Sequence, residues 1–222
     1  MNTIPRAVIF DLDGTLVDSL EDIGVSMNEC LEILGLKPFP VQDYRYMVGE
    51  GIVNLCRRAL APAEAEVYLN RLIELVRARY RTRCLERTRP YSGVPALVDS
   101  LRARGVALAV LSNKPHDMTE RIVRALWPDD PFRVIQGYTT ESARKPDPTH
   151  PLAICGKLGV APAETVMVGD TPTDVETARR TGAGIIGVTW GFRTREELAA
   201  AGCGRIVDTP GDIAALYGLS VS

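Results

Sequence analysis

Acidic, amide and amine side chains follow short apolar runs at several points in this 222-residue chain. In an open parallel sheet, ligands bind beyond the carboxyl ends of the strands, so residues in such positions are candidates for chemistry. The candidates are Asp11 and Asp13, Ser112 and Asn113, Lys145 in a loop before a predicted helix, and Asp170 and Asp174. The sequence therefore predicts that four separate stretches meet in one site.

This set of side chains suits phosphoryl transfer. Carboxylates that include Asp11 and Asp170 favour a hard, oxygen-seeking cation such as Mg²⁺, which would screen their mutual repulsion and bind a phosphoryl oxygen. Ser112 and Asn113 can donate hydrogen bonds to other phosphoryl oxygens, and Lys145 supplies a compact positive charge. Phosphoryl transfer depends chiefly on positioning and charge stabilisation, and this set offers both.

Asp11 and Asp13 are two residues apart, so in extended backbone both carboxylates would face the same site. One can act as a nucleophile and form an aspartyl-phosphate. The other can protonate the leaving alkoxide and then deprotonate the attacking water. Gly14 permits a sharp turn and a close approach of the backbone to phosphate.

Each motif also has a purely structural interpretation. Asp13-Gly14 is a common turn dipeptide, Asp170 can begin a helix cap, and Lys145 can be a surface lysine. The functional interpretation is favoured because all the motifs occur in order, at apolar strand ends or in sheet-edge loops. For His116 and His150 the structural interpretation is favoured, since the pair lacks metal-ligand spacing.

The elements that must position these residues alternate between strand and helix. Apolar runs at 7–10, 106–111, 165–168 and 184–188, with a further segment at 134–135, read as buried strands, each ending on polar or glycine residues. Helical patterns lie between them. The alternation predicts an α/β fold with a parallel, Rossmann-like sheet and helices on both faces.

One segment breaks this alternation. Apolar residues step at helical spacing from Leu16 to Leu34 and again from Leu69 to Tyr80, with Pro62 placed to begin the second helix. We therefore predict a core domain made of residues 1–16 and 90–222 and an inserted helical domain made of residues 17–89.

Composition narrows the class of protein. With 45% hydrophobic residues, the chain has the composition of a globular protein. Its formal net charge of −2 gives no overall positive field that would attract nucleic acid or an anionic membrane. The arginine-dense stretch at 77–89 is interpreted as a solvated surface with acidic neighbours. Five scattered cysteines and the lack of an apolar leader or membrane-length run predict reduced thiols and a cytoplasmic protein. The oligomeric state is not readable from these patterns.

The residues 10–19, Phe-Asp-Leu-Asp-Gly-Thr-Leu-Val-Asp-Ser, resemble motif I of the haloacid dehalogenase superfamily. Ser112 resembles its motif II, Lys145 its motif III, and residues 169–174, Gly-Asp-Thr-Pro-Thr-Asp, its motif IV. The resemblance spans nearly the whole chain in the order of the family and includes a helical cap at the position called C1.

The resemblance implies a role for each residue. Asp11 would be the nucleophile and a metal ligand, and Asp13 the general acid and base with its backbone carbonyl on the Mg²⁺. Asp170 would be the third protein ligand, and Asp174 would support the metal or orient Lys145. Ser112, Asn113 and Lys145 would hold the transferring phosphoryl group, with Gly14 and Thr15 in support.

The resemblance also separates activities within the superfamily. Asp13 argues against a dehalogenase, because halide needs no proton, and Lys37 as the only cap lysine disfavours phosphonate cleavage. Residues 16–23, 48–51 and 112–115 are most similar to the phosphoglycolate phosphatase branch, with Arg45 or a donor near Gly49–Gly51 as a candidate for the substrate carboxylate. A pyrophosphatase, a sugar or nucleotide phosphatase, a phosphomutase or a non-catalytic binding protein stays open.

Overall fold

The structure, a computed structural model, describes residues 3–219. Contacts divide the described residues into two compact units, residues 3–17 with 90–219 and residues 18–89. We call them the sheet unit and the helical unit. Two short strands, β2 (Val17–Asp18) and β3 (Arg89–Pro90), pair with each other where the chain passes between the units.

The sheet unit contains a six-stranded parallel sheet, as predicted. In chain order its strands are β1 (Ala7–Phe10), β4 (Ala107–Pro115), β5 (Val134–Tyr138), β6 (Thr165–Gly169), β7 (Gly184–Val188) and β8 (Ile206–Val207). In the sheet they lie in the order β5-β4-β1-β6-β7-β8. The intervening helices are α4 (Val94–Ala103), α5 (His116–Leu126), α6 (Thr149–Leu158), α7 (Pro172–Thr181), α8 (Arg195–Ala200) and α9 (Pro210–Leu216).

Helices cover the sheet because both of its faces are apolar. Ile9 of β1 and Met167 of β6 belong to one buried cluster with Ile154 of α6 and Ala178 of α7. Side chains alternate along a strand, so Phe10 points to the opposite face, where its ring meets Phe132 edge-on at 6.5 Å between centroids. Burial of both faces explains why these strands read as continuous apolar runs.

The structure corrects one predicted strand end. The sequence predicts a strand that ends at Leu111, whereas β4 continues to Pro115. Its register against β5 shifts between Leu111 and Pro115, where Pro115 pairs with Tyr138. Ser112 and Asn113 therefore lie in an irregular continuation of β4, because the pairing of β4 with β5 resumes after the shift.

The helical unit is built from α1 (Leu20–Ile33), α2 (Ile52–Arg58) and α3 (Pro62–Arg83), with a 3₁₀ segment at Val41–Tyr46. Pro62 begins α3, as predicted. Helix α1 begins at Leu20 rather than Leu16, because the chain first makes a turn in which Leu16 donates to the carbonyl of Leu12. Helices α1 and α3 pack against each other.

A buried carboxylate ties the two ends of the helical unit together. Asp22 of α1 accepts from the backbone amide of Arg87 at 3.1 Å, and from the amide and hydroxyl of Thr88 at 2.9 and 2.7 Å. The predicted arginine-rich surface is interleaved with acids: Arg79 and Arg83 both pair with Glu29. These pairs are exposed or partly exposed, so each contributes little to stability.

Two further findings concern the whole described chain. All five cysteines are buried, and none forms a disulfide among residues 3–219. Within the same residues, no helix has both the length and the apolar character that crossing a bilayer requires.

Candidate active site

The register of the sheet brings the ends of β1, β4 and β6 together. Phe10 pairs with Val110 on one side and Val168 on the other. The ladder continues one residue further, since the amide of Asp11 donates to the carbonyl of Val168 at 2.9 Å. Asp11 therefore lies at the same edge of the sheet as Ser112 and Asp170, as expected for carboxyl ends of parallel strands.

Lys145 is the centre of a buried ion-pair network. Its ammonium nitrogen lies 2.7 Å from Oδ1 of Asp11 and 2.7 Å from Oδ1 of Asp174. The second oxygen of Asp174 accepts from the amide of Thr171 at 3.1 Å and from its hydroxyl at 2.7 Å. Thr171 caps α7, so the helix terminus holds Asp174, and Asp174 in turn orients Lys145.

Asp170 is fully buried and held at both oxygens. Oδ1 accepts from the hydroxyl of Thr15 at 2.9 Å, and Oδ2 accepts from the amide of Phe192 at 2.8 Å. Gly14 makes this approach possible, because its φ is +86° and a Cβ there would lie 2.4 Å from Oδ2 of Asp170. The turn after β1 thus packs directly on the carboxylate that follows β6.

The remaining predicted residues are placed as follows. The hydroxyl of Ser112 accepts from the amide of Lys114 at 3.2 Å. The side-chain amide of Asn113 binds the backbone of Lys145, donating to its carbonyl at 3.1 Å and accepting from its N–H at 2.7 Å. Asn113 therefore positions the loop that carries Lys145, and direct contact of its side chain with phosphate stays a prediction. Asp13 pairs with Lys114 at 2.9 Å.

Burial governs the electrostatics of this site. Burial raises the pKa of Asp11 well above its usual range, even though Lys145 lies beside it. Burial and the neighbouring Asp174 raise the pKa of Asp170 to about 7. Burial lowers the pKa of Lys145, but Asp11 and Asp174 outweigh that effect and hold the pKa above its ordinary value. Lys145 is therefore charged at neutral pH.

The donor set fits a divalent cation. Asp11, Asp170 and Asp174 are buried, with one carboxylate oxygen of each within 4.8 Å of the others. When all three carboxyl groups are ionised, their three negative charges face the one positive charge of Lys145, which leaves a formal excess of two. A cation of charge +2 with a preference for carboxylate oxygen would balance that excess. Asp11, Asp170 and Asp174 each already accept hydrogen bonds from the protein, so this geometry by itself does not rank the three as direct ligands.

Sequence reasoning missed the loop after β7. The indole nitrogen of Trp190 donates to the carbonyl of Thr15 at 3.0 Å, while the amide of Phe192 holds Asp170. At Gly191 a Cβ would lie 2.2 Å from the carbonyl oxygen of Gly14. The strand-end rule that singled out Asp11 applies equally to this loop, so its position was a usable signal. Lys114 was also missed, because only the fold brings it to Asp13.

Comparison with known proteins identifies the family of this chain. The family model of haloacid dehalogenase-like hydrolases matches residues 8–188. The phosphoglycolate phosphatase of Rhodospirillum rubrum is 36% identical over 213 residues, which cover 92% of this chain and 88% of that protein. The phosphoglycolate phosphatase of Aquifex aeolicus is 33% identical over 187 residues, covering 84% and 86% of the two chains.

Solved structures show the same fold. A crystal structure from Lactobacillus delbrueckii subsp. bulgaricus, provisionally named a phosphoglycolate phosphatase, has a TM-score of 0.92 at 30% identity and covers 97% of this chain and 99% of its own. CbbY from Rhodobacter sphaeroides, solved with phosphate, has a TM-score of 0.77 at 23% identity, covers 94% of this chain and 96% of its own, and shows the fold alone. From the family match and these relatives, the chain belongs to the haloacid dehalogenase-like hydrolase family.

Proposed function

We propose that this protein is a Mg²⁺-dependent phosphatase that hydrolyses a small phosphate monoester of the phosphoglycolate type through an aspartyl-phosphate on Asp11. The chain is a phosphoric monoester hydrolase, the class to which its named relatives belong. The observation that carries the finer proposal is the buried contact of Lys145 with Asp11 beside two further buried carboxylates.

The proposed first step is attack by a carboxylate oxygen of Asp11 on phosphorus. Lys145 fixes Oδ1 of Asp11 and places a positive charge beside the incoming phosphoryl group. The hydroxyl of Ser112, oriented by the amide of Lys114, donates to a phosphoryl oxygen. Asp13 gives its proton to the leaving alkoxide as the phosphorus–oxygen bond breaks. When bound, Mg²⁺ supplies charge that favours ionised Asp11 and polarises a phosphoryl oxygen.

The second step is hydrolysis of the aspartyl-phosphate. Asp13, now a carboxylate, takes a proton from water as the water oxygen bonds to phosphorus and the bond to Asp11 breaks. Inorganic phosphate leaves, and Asp11 and Asp13 return to their starting states. Thr15 and Phe192 hold the carboxylate of Asp170, a proposed metal ligand, in place throughout.

Substrate choice is proposed to lie in residues 17–89, the cap domain implied by the family resemblance. The proposal predicts that limited proteolysis near residues 16–17 and 89–93 differs with and without Mg²⁺ and a phosphate mimic. The same cleavage pattern under both conditions would count against a cap that responds to the ligand.

Arg45 is a candidate for binding a substrate carboxylate, and Arg45→Met should then raise KM for an acidic substrate more than for a neutral one.

The test of function is phosphate release from a panel of substrates, each with Mg²⁺ and with a chelator. The panel contains 2-phosphoglycolate, sugar phosphates, nucleotides and pyrophosphate, so that each alternative activity has its own signal. We expect 2-phosphoglycolate to have the highest kcat/KM and the chelator to abolish release. A higher value for pyrophosphate or a sugar phosphate would reassign the substrate. No release from any member would contradict the proposal itself.

A further inference from the structure

Lys114 makes an ion pair that the chemistry described so far does not use. Its ammonium nitrogen lies 2.9 Å from Oδ2 of Asp13, and the side chains are only 7% and 13% exposed. An ion pair this shielded from water is screened less by solvent and salt than a surface pair. Lys114 therefore restricts where the carboxylate of Asp13 can point.

The backbone of Lys114 is itself held on both sides. Its N–H donates to the hydroxyl of Ser112 at 3.2 Å, and its carbonyl accepts from the hydroxyl of Thr119 at 3.3 Å. Thr119 is fully buried in α5, so the helix anchors this irregular end of β4. One residue thus links the hydroxyl proposed to bind phosphate with the carboxylate proposed to transfer protons.

We propose that Lys114 is a positioning residue that holds Asp13 for proton transfer at the leaving-group oxygen. The inference rests on the proposed function and adds a residue to it. In the first step the proton of Asp13 goes to the leaving alkoxide while the bond between Asp11 and phosphorus forms. Lys114 neither gains nor loses a proton. Its ammonium donates a hydrogen bond to Oδ2 of Asp13 whether Asp13 is protonated or ionised, and proton transfer requires hydrogen-bond reach of the reacting oxygen.

A competing role for Lys114 is direct binding of the substrate phosphate. The two roles differ in their dependence on the leaving group. An alkyl phosphate needs a proton on its leaving oxygen, whereas p-nitrophenyl phosphate releases a stable phenolate without one. Loss of positioning therefore affects only the alkyl substrate, and loss of phosphate binding affects both. The parameter to compare is kcat/KM, because it reports the steps up to the transfer of the phosphoryl group to Asp11.

The experiment measures kcat/KM for 2-phosphoglycolate and p-nitrophenyl phosphate with wild type, Lys114→Met, Lys114→Gln and Asp13→Asn. We expect Lys114→Met to lower the value about 10- to 100-fold for the alkyl substrate and less than about 3-fold for the aryl substrate. Asp13→Asn should change the ratio of the two values in the same direction. A double variant that combines Lys114→Met with Asp13→Asn should lose little activity beyond that lost by Asp13→Asn alone. The reason is that both substitutions would remove the same function, proton transfer by Asp13.

The controls keep the outcomes apart. Both substrates are measured on one preparation, so a smaller folded fraction lowers both values alike and leaves their ratio unchanged. Lys157→Met, at an exposed position of α6, should leave both values unchanged. An equal loss on both substrates, or no loss, would overturn the role of Lys114 alone. A wild type inactive on both would instead contradict the proposed function, and the inference with it.

Discussion

The ammonium nitrogen of Lys145 lies 2.7 Å from Oδ1 of Asp11, and both side chains are buried. Each charge compensates the other in surroundings where an isolated charge is very costly. Asp174 shares the same ammonium, so removal of Lys145 would leave two buried carboxylates without their cation. In the proposed mechanism, catalysis and stability therefore depend on the same contact.

We predict that Lys145→Met destabilises the metal-free protein by about 3–5 kcal/mol, the usual cost of removing one partner of a buried ion pair. Equilibrium urea unfolding, monitored by circular dichroism, measures this free energy. Lys157→Met removes the same charge from an exposed position and should change it by less than about 0.5 kcal/mol. Equal effects of the two substitutions would contradict a buried network around Lys145.

Asp11→Asn should lower kcat by at least about 10⁴-fold, because an amide cannot serve as the nucleophile. The fold should be retained, since Asn has nearly the same volume as Asp. The measurement is phosphate release together with a thermal unfolding curve for each protein. Asp129→Asn, at an exposed position, is the matched control and should keep wild-type turnover. Full activity of Asp11→Asn would refute the assignment of the nucleophile.

Metal-free protein should become less stable as the pH rises from about 5 to about 8. Burial and Asp174 raise the pKa of Asp170 to about 7 in the folded state, and burial raises that of Asp11 as well. The folded state therefore binds more protons than the unfolded state in this range, so the free energy of unfolding falls as the pH rises. We expect a decrease in Tm of about 5 °C across it.

Mg²⁺ should reverse this trend, because it binds the deprotonated carboxylates and stabilises the folded state most at high pH. The gain in Tm on adding Mg²⁺ should thus be larger at pH 8 than at pH 5. Asp170→Asn should flatten the pH dependence of the metal-free protein. Comparing Asp170→Asn with wild type isolates the contribution of Asp170. This control is needed because burial lowers the pKa of His150, and a lowered histidine pKa makes the folded state more stable as the pH rises at the acidic end of the range. A gain independent of pH would argue against these carboxylates as ligands.

Gly191→Ala should weaken Mg²⁺ binding by about 10- to 100-fold, a typical effect of disturbing groups that orient metal ligands. The new Cβ would clash with the carbonyl oxygen of Gly14 and lie 2.4 Å from Cβ of Asp170. Calorimetric titration of metal-free protein with Mg²⁺ gives the dissociation constant. Gly204→Ala is the control, since no atom lies within 4 Å of a Cβ built there. Unchanged affinity in Gly191→Ala would mean that the loop after β7 does not position Asp170.

The fold class and the clustering of several polar residues at one edge of the sheet were predictable from the sequence alone. Buried parallel strands appear as apolar runs, and the residues that follow them are necessarily at one edge of the sheet. For this reason the sequence alone places Asp11, Ser112 and Asp170 close together. The start of α3 at Pro62 was predictable as well, because proline is favoured in the first turn of a helix.

The contacts between polar groups of the site follow from the packing of the whole fold. Lys114 lies in the irregular end of β4, where it pairs with Asp13, and a local sequence pattern encodes neither the irregularity nor the contact. The same holds for Trp190 and Gly191, which reach the turn after β1 from a distant part of the chain. Periodicity reports which face of an element is buried, but contacts between loops depend on how all the elements pack. That packing assigned Asn113 to the backbone of Lys145, a contact its position in the sequence does not reveal.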